Sequence, residues 1–219
     1  LLETNNAIAF SFKDQVIFEE KEITKADGLP YTVYTPFKNK WLEKYKSMAP
    51  VLEYDATDVF SNFHKCDFVF PSLEQIGFEK SPIKVKPHNL KFIANYQDIR
   101  DFPALDQTSY LSPHLRFGTV SIRKLVNWAF HKNDVFLSEL IWREFFMQIL
   151  FSFPKVVTQN FKTAYDGIKW RNNEADFQRW CSGTTGYPMV DAGMRQLNET
   201  GYMHNRVRMV AASFLCKHL

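Results

Sequence analysis

After residue 90, apolar residues recur three and four positions apart, a spacing that predicts one helix after another. Phe92 to Arg100 carries the pattern, with Pro103 beyond its end. Ser112 followed by Pro113 reads as an N-cap before a first-turn proline, and Gly118 closes that short helix. Ser121 can cap a helix in which Ile122, Leu125, Val126 and Ala129 share a face. A longer helix runs from about Val135 to Phe151 and stops before Pro154. Pro188 to Glu199 follows, with Val190, Met194 and Leu197 on one side and Gly201 as its stop. A last helix opens near His204. In it Asn205, Arg208, Met209 and Ala212 form one stripe, and Val207, Val210, Ala211 and Phe214 form another that should face a core.

The first ninety residues are patterned differently. Ala7 to Phe18 holds two β-prone runs around Lys13, Asp14 and Gln15, which suggests a hairpin or a strand end. Thr32 to Thr35 is a third such run, halted by Pro36. One short helix is expected near Lys38–Lys46, then a long connector punctuated by Pro50, Pro71, Pro82 and Pro87. The expected fold class is therefore mainly α: a multi-helical domain over residues 90–219, a connector over 37–89, and the last strands of an α/β domain over 1–36.

Composition narrows the function classes. Only 8 glycines disfavour an all-β barrel of tight turns, and 21 phenylalanines supply a large aromatic core. Three scattered cysteines without a CxxC pair give neither a disulfide framework nor a zinc signature, which points to a reducing, cytoplasmic setting. Glu139, Arg143 and Glu144 interrupt the most apolar stretch, so no membrane span is expected. A net charge of +3 permits nucleic-acid binding without requiring it. No metal spacing and no hydrolase or P-loop string occurs.

Two segments concentrate polar chemistry. Glu139, Trp142, Arg143 and Phe146 fall on one face of the long helix. They could be an intrahelical Glu139–Arg143 pair beside a core indole, or a wall that stacks a flat ring and reads its polar edge. Thr108, Ser109, Tyr110 and Ser112 bring hydroxyls to the start of a helix, where they could cap it or hold a phosphate. Trp170 stands in polar company, as a surface indole would.

Four strings in order, Thr108-Ser-Tyr-Leu-Ser112, Glu139-Leu-Ile-Trp-Arg-Glu-Phe145, Trp180 with Gly183-Thr-Thr-Gly-Tyr-Pro-Met-Val-Asp191, and His204-Asn-Arg-Val-Arg-Met209, resemble the flavin-dependent photolyase/cryptochrome family. The resemblance covers most of Tyr96 to Leu219. The segment from Ala7 to Lys40 is similar to the end of that family's α/β antenna domain. The resemblance implies a helical FAD domain that flips a pyrimidine dimer out of DNA and splits it with an electron from photoexcited reduced flavin, a lyase reaction. By matching position, Tyr96, Thr108, Ser109, Tyr110, Leu111 and Ser112 would line the FAD phosphate and ribose, while Arg143, Asn205 and Arg208 would contact the flavin. Glu139, Trp142, Asn205, Arg206 and Met209 would face the dimer, Arg100 would touch a DNA phosphate, and Trp170 would be the surface end of an electron-transferring tryptophan chain.

Within the family, Asn205, Arg206 and Met209 stand as in the cyclobutane pyrimidine dimer enzymes. Tyr202 departs from the tryptophan usual there. The resemblance further implies a fragment of a longer photolyase, monomeric when full-length, whose absent antenna part can carry a second chromophore. Two other readings compete: a cryptochrome-like blue-light receptor, and a flavin-free helical module that uses Arg100, Arg206 and Arg208 only on nucleic-acid phosphates.

Overall fold

Phe37, Trp41 and Tyr45 recur every four residues, and in the computed structural model, which describes residues 12–48, 57–63, 65 and 67–219, they are the buried side of the first helix. This helix, α1 (Tyr34–Ser47), opens earlier than the β-prone run at Thr32–Thr35 suggests. Pro36 is the reason. Read from sequence as a stop, it sits in the first helical turn, where a missing N–H removes no intrahelical bond.

The expected strands before it are also absent among the described residues. Ala7 to Ser11 lie outside them, and Phe12–Phe18 is irregular; an isolated bridge joins Thr24 and Pro30. The backbone amides of Ile17 and Phe18 have another partner. They donate to the two oxygens of the Glu144 carboxylate at 2.7 and 3.1 Å, so the segment docks on a helix instead of pairing with a strand.

Glu144 belongs to α5 (Asp134–Ser152), whose start is fixed by Asn133 accepting the Phe136 amide at 2.9 Å. It is preceded by α2 (Tyr96–Ile99), α3 (Leu111–Arg116) and α4 (Ile122–Phe130). Ser121 caps α4 as its sequence suggests. Ser112 does not cap α3: the capping position is Tyr110, in the left-handed region at φ 53, with no side-chain cap bond. The stretch expected as one helix from Phe92 is a 3₁₀ turn, Ile93–Asn95, running into α2.

One core unites Ile17, Phe18 and Ile23 with α1, α3, α4 and α5. Trp41 and Phe37 are wholly buried in it, with Phe37 against Phe145 at a ring separation of 5.2 Å. Each such side chain contributes roughly 1.5–3 kcal/mol of burial. The expected boundary after residue 36 falls within α1.

The second core belongs to α7 (Pro188–Thr200) and α8 (Asn205–His218), joined by Met203 and backed by Trp180 of α6 (Glu174–Ser182). Val207, Ala211 and Phe214 face inward, whereas Asn205, Arg208, Met209 and Ala212 face out, as their spacing requires; Val210 is exposed. Gly193 lets α7 and α8 approach, because a Cβ there would lie on top of Val207 Cγ1. Among the described residues between Thr57 and Asn89 the connector holds one 3₁₀ segment, Thr57–Asn62, and residues 67–80 are exposed. Its end is tied down: Lys84 N–H donates to Glu199 O (3.4 Å) and Asn89 N–H to Ser109 O (2.9 Å), and His114 Nε2 bonds Lys86 O (2.9 Å). Among the described residues no helix is long and apolar enough to cross a membrane.

Candidate flavin and nucleic-acid site

The start of α8 is set by a histidine. Nδ1 of His204 accepts the Arg206 amide at 3.1 Å, so that nitrogen must carry a lone pair. Burial, the main cause, lowers the His204 pKa, while the nearby Asp101 charge and a hydrogen bond to the Arg100 backbone oppose the shift. The ring is thereby kept neutral as a cap, and the first turn of α8 projects Asn205, Arg206, Arg208 and Met209 outward.

Asn205 and Arg208 meet Ser109, Leu111 and Ser112 across a cleft of about 270 Å³, completed by Tyr202 and Met203. Two hydroxyls, an amide and a guanidinium on an apolar floor suit a phosphate or the polar edge of a heterocycle. The loop that delivers the serines is held by Tyr110. Its phenol donates to Asp106 and accepts from Lys86 Nζ at 3.0 Å, its ring carries the same ammonium at 4.6 Å, and its other neighbour is Tyr202, ring to ring at 4.7 Å. Those contacts offset a left-handed backbone that costs of order 1–3 kcal/mol in a residue with a side chain. Thr108 Oγ1 is buried without a well-formed hydrogen bond, close enough to the Tyr202 phenol to affect it.

A second polar face adjoins α8. Arg100 Nη1 donates to Glu139 Oε1 at 2.7 Å, and Arg100 also lies 3.6 Å from Asp101. Asp101 Oδ1 accepts from Arg206 Nε at 2.8 Å, and Arg206 Nη1 lies 3.6 Å from Met209 Sδ. Glu139 therefore pairs across helices, and the intrahelical Glu139–Arg143 alternative is overturned. Tyr96 packs edge-on to Phe136 under the Arg100 guanidinium. Its pKa is pushed up to about 12, chiefly by burial and then by the Glu139 charge. Beside Glu139, Trp142 has Tyr34 stacked on it at 3.5 Å and Phe146 at 5.4 Å. The Tyr34 hydroxyl is anchored to Ser138.

The remaining sequence candidates lie elsewhere. The Arg143 guanidinium donates to Gln15 O at 2.8 Å and to Leu115 O at 3.5 Å, on a separate cavity of about 210 Å³ that includes Asp14, Gln15 and Arg123. Trp170 is half exposed on an apolar hollow of about 500 Å³ with Phe177, Leu215, Cys216 and Leu219. Tyr96 lines the charged face, not the cleft. Among the described residues no three His, Cys, Asp or Glu side chains converge as a metal site would need.

The sequence pattern gives Tyr34 and Asp101 no role, marks Glu144 only as a charge interrupting an apolar stretch, and includes Asp191 only as the end of a longer string. Glu144 had a signal: a lone carboxylate in an apolar helix must find donors. It takes Trp41 Nε1 at 2.9 Å besides the two amides. Asp191, within the Gly183 to Asp191 string, accepts Thr185 N–H, Thr185 Oγ1–H and Gly186 N–H and so pins the loop before α7. Asp101 had only its neighbour Arg100 as a hint, since its partner is 105 residues away.

Known proteins resemble this chain along nearly all of its length. Residues 136–219 match the family described as the FAD binding domain of DNA photolyase. The deoxyribodipyrimidine photo-lyase of Halobacterium salinarum is 38% identical over 95% of the chain and 48% of its own length. That of Vibrio cholerae is 34% identical over 100% and 51%. A bacterial class III photolyase structure from Agrobacterium tumefaciens superposes with a TM-score of 0.71 at 30% identity, covering 100% of this chain and 50% of that one. The cryptochrome structure of Synechocystis gives 0.57 at 25% identity, over 93% and 46%. The chain spans about half the length of the curated relatives it matches. Motifs, helical architecture and relatives over nearly all of its length converge on one assignment: the chain belongs to the DNA photolyase family.

Proposed function

We propose that the chain carries one wall of the FAD pocket and the dimer-recognition face of an enzyme that repairs cyclobutane pyrimidine dimers in DNA with light. The observation that carries this reading is the convergence of two strings ninety residues apart. Ser109 and Ser112 meet Asn205 and Arg208 on one cleft, beside a face built from Glu139, Arg100 and Arg206. The relatives' name, deoxyribodipyrimidine photo-lyase, supports the same chemistry.

The donor set of the cleft fits the cofactor in kind. At about 270 Å³ it is smaller than the roughly 300–1,000 Å³ of complete ligand pockets, so it suits the phosphate and ribose portion instead of a whole dinucleotide. Ser109, Ser112 and Arg208 would hold that anionic portion, with Asn205 oriented by the cap of α8. Reduced FAD, when bound, supplies the light-excited electron that opens the cyclobutane ring. The chain's own part is binding and orientation. Arg208 contributes positive charge that favours an anionic ligand. Tyr34 fixes the plane of Trp142, and Arg100 fixes the Glu139 carboxylate, so a flipped base meets an aromatic platform and a hydrogen-bond acceptor already in place. Further proposals are a monomer working on DNA in the cytoplasm, and Trp170 as an electron entry point at the surface.

The test is loss of thymine dimers from an irradiated oligonucleotide on illumination with the FAD-loaded, reduced protein. Light-dependent loss is expected, and replacing Arg208 by Ala should weaken FAD retention about tenfold, the size of a lost charge-assisted contact. A second reading, a flavin photoreceptor, is favoured by the likeness to the Synechocystis cryptochrome. Bound, photoreducible flavin with no dimer loss would remove the repair reading and leave the receptor reading standing.

A further inference from the structure

Arg100, Glu139 and Arg206 come from three separate helical regions, yet one carboxylate joins them. Asp101 accepts from Arg206 Nε at 2.8 Å and lies 3.6 Å from Arg100, whose Nη1 is on Glu139 at 2.7 Å. The result is an alternating chain, Glu139–Arg100–Asp101–Arg206, of two cations and two anions with no net charge. Arg100 and Glu139 are partly exposed, at 23% and 32%, while Arg206 and Asp101 stand at the surface, at 43% and 48%. Isolated surface pairs contribute little, but a network with shared partners holds its side chains in place. Beyond Asp101, Arg206 is steadied by Met209 Sδ. Asp101 and Met209 engage two of the five guanidinium donors and leave others for a further acceptor.

We propose that Asp101 is a positioning residue that sets discrimination between damaged and undamaged DNA, acting through Arg206 and Arg100; the proposal rests on the repair reading given above. Two uncompensated arginines would attract the phosphates of any duplex, because backbone contacts carry no sequence or lesion information. Pairing them with carboxylates suppresses that general attraction. It also fixes Arg206, and through Arg100 the Glu139 acceptor, in one register suited to an extruded lesion. The same carboxylate thus lowers affinity for ordinary DNA and raises it, relatively, for the lesion.

The experiment measures binding of the FAD-loaded protein to a short duplex with one thymine dimer and to the same duplex undamaged, across a salt series, for wild type, Asp101→Asn and Asp101→Glu. The Asn variant is expected to bind undamaged duplex several-fold tighter, with a salt slope steeper by about one. Its preference for the dimer should fall roughly fivefold, a loss on the scale of one networked ion pair. The Glu variant, which keeps the charge, should recover most of that preference and keeps the proposal testable if the Asn variant folds poorly. A preference equal to wild type in Asp101→Asn overturns the proposal, since a purely structural or general electrostatic role moves both duplexes together. If wild type itself does not prefer the dimer, the repair reading fails, a pattern separate from the first.

Discussion

Glu144 shows how a single side chain holds a segment distant in sequence against a helix. Burial, the largest influence, raises its pKa, and its bonds to Ile17, Trp41 and Phe18 pull the other way. Replacing it by Ala orphans three donors, each of which costs roughly 1–3 kcal/mol if left unsatisfied. A stability loss of about 3 kcal/mol is therefore expected in denaturant unfolding, and a loss below about 1 kcal/mol would mean the amides find other partners. His204 offers a test by pH. Its folded pKa lies below the ordinary 6.5, so the stability it provides is present above that value and drains away as pH falls through the lower, folded one. Melting temperature should drop over that acid window, and His204→Asn, which keeps a capping acceptor without the titration, should flatten the drop. Neither role was legible from sequence. The capping nitrogen of His204 and the donors of Glu144 are facts of three-dimensional approach, though a carboxylate inside an apolar helix announces that some partner exists.

Among the elements, periodicity and punctuation identified α4, α5, α7 and α8: the apolar stripes of α4 and α7 match their buried faces, that of α8 does so except at Val210, and the stops, Gly201 and Pro154, act locally. The failures are equally local in cause. Pro36 was read as a terminator when it opens α1, and α6 was missed because its short Glu174–Ser182 span has no fully buried residue to set a stripe. Its Asn173 cap, which accepts the Asp176 amide at 3.1 Å, was the signal available. The contact of α7 with α8 makes a sharper prediction. Gly193→Ala drives a methyl into Val207 and should cost about 1–3 kcal/mol, as overpacking does. Adding Val207→Ala should restore part of the loss, a coupling that a double-mutant cycle reads directly. The same mutant should loosen FAD, because α8 carries Asn205 and Arg208 to the cleft; unchanged retention would show that the spacing of the two helices does not set it.

For the molecule as a whole, four ordered strings revealed the family before any contact was known, and the fold places two of them, around Ser109 and around Asn205, on one cleft. What the strings conceal is how their polar members are shared. Arg143 stands next to the Glu139 motif's indole in sequence but secures the backbone of Gln15 and Leu115, while Arg206 bonds to a carboxylate that no motif contains. Pair partners separated by a hundred residues leave no local trace.

The tied-down connector has a further consequence. Residues 67–80 are exposed throughout, yet Lys84, Lys86 and Asn89 bond across to Glu199, His114 and Ser109, and the segment before the connector is gripped by Glu144, Arg143 and Arg123. After a protease cut in that stretch, the bonds of Lys84, Lys86 and Asn89 keep the new end seated, and the two polypeptides should stay joined through Glu144, Arg143, Arg123 and the shared core. The nicked protein should elute as one particle and melt near the temperature of the intact one, and the two polypeptides, expressed separately, should reassemble by complementation. Their separation on a sizing column would place the continuity of the molecule in its backbone instead of its contacts.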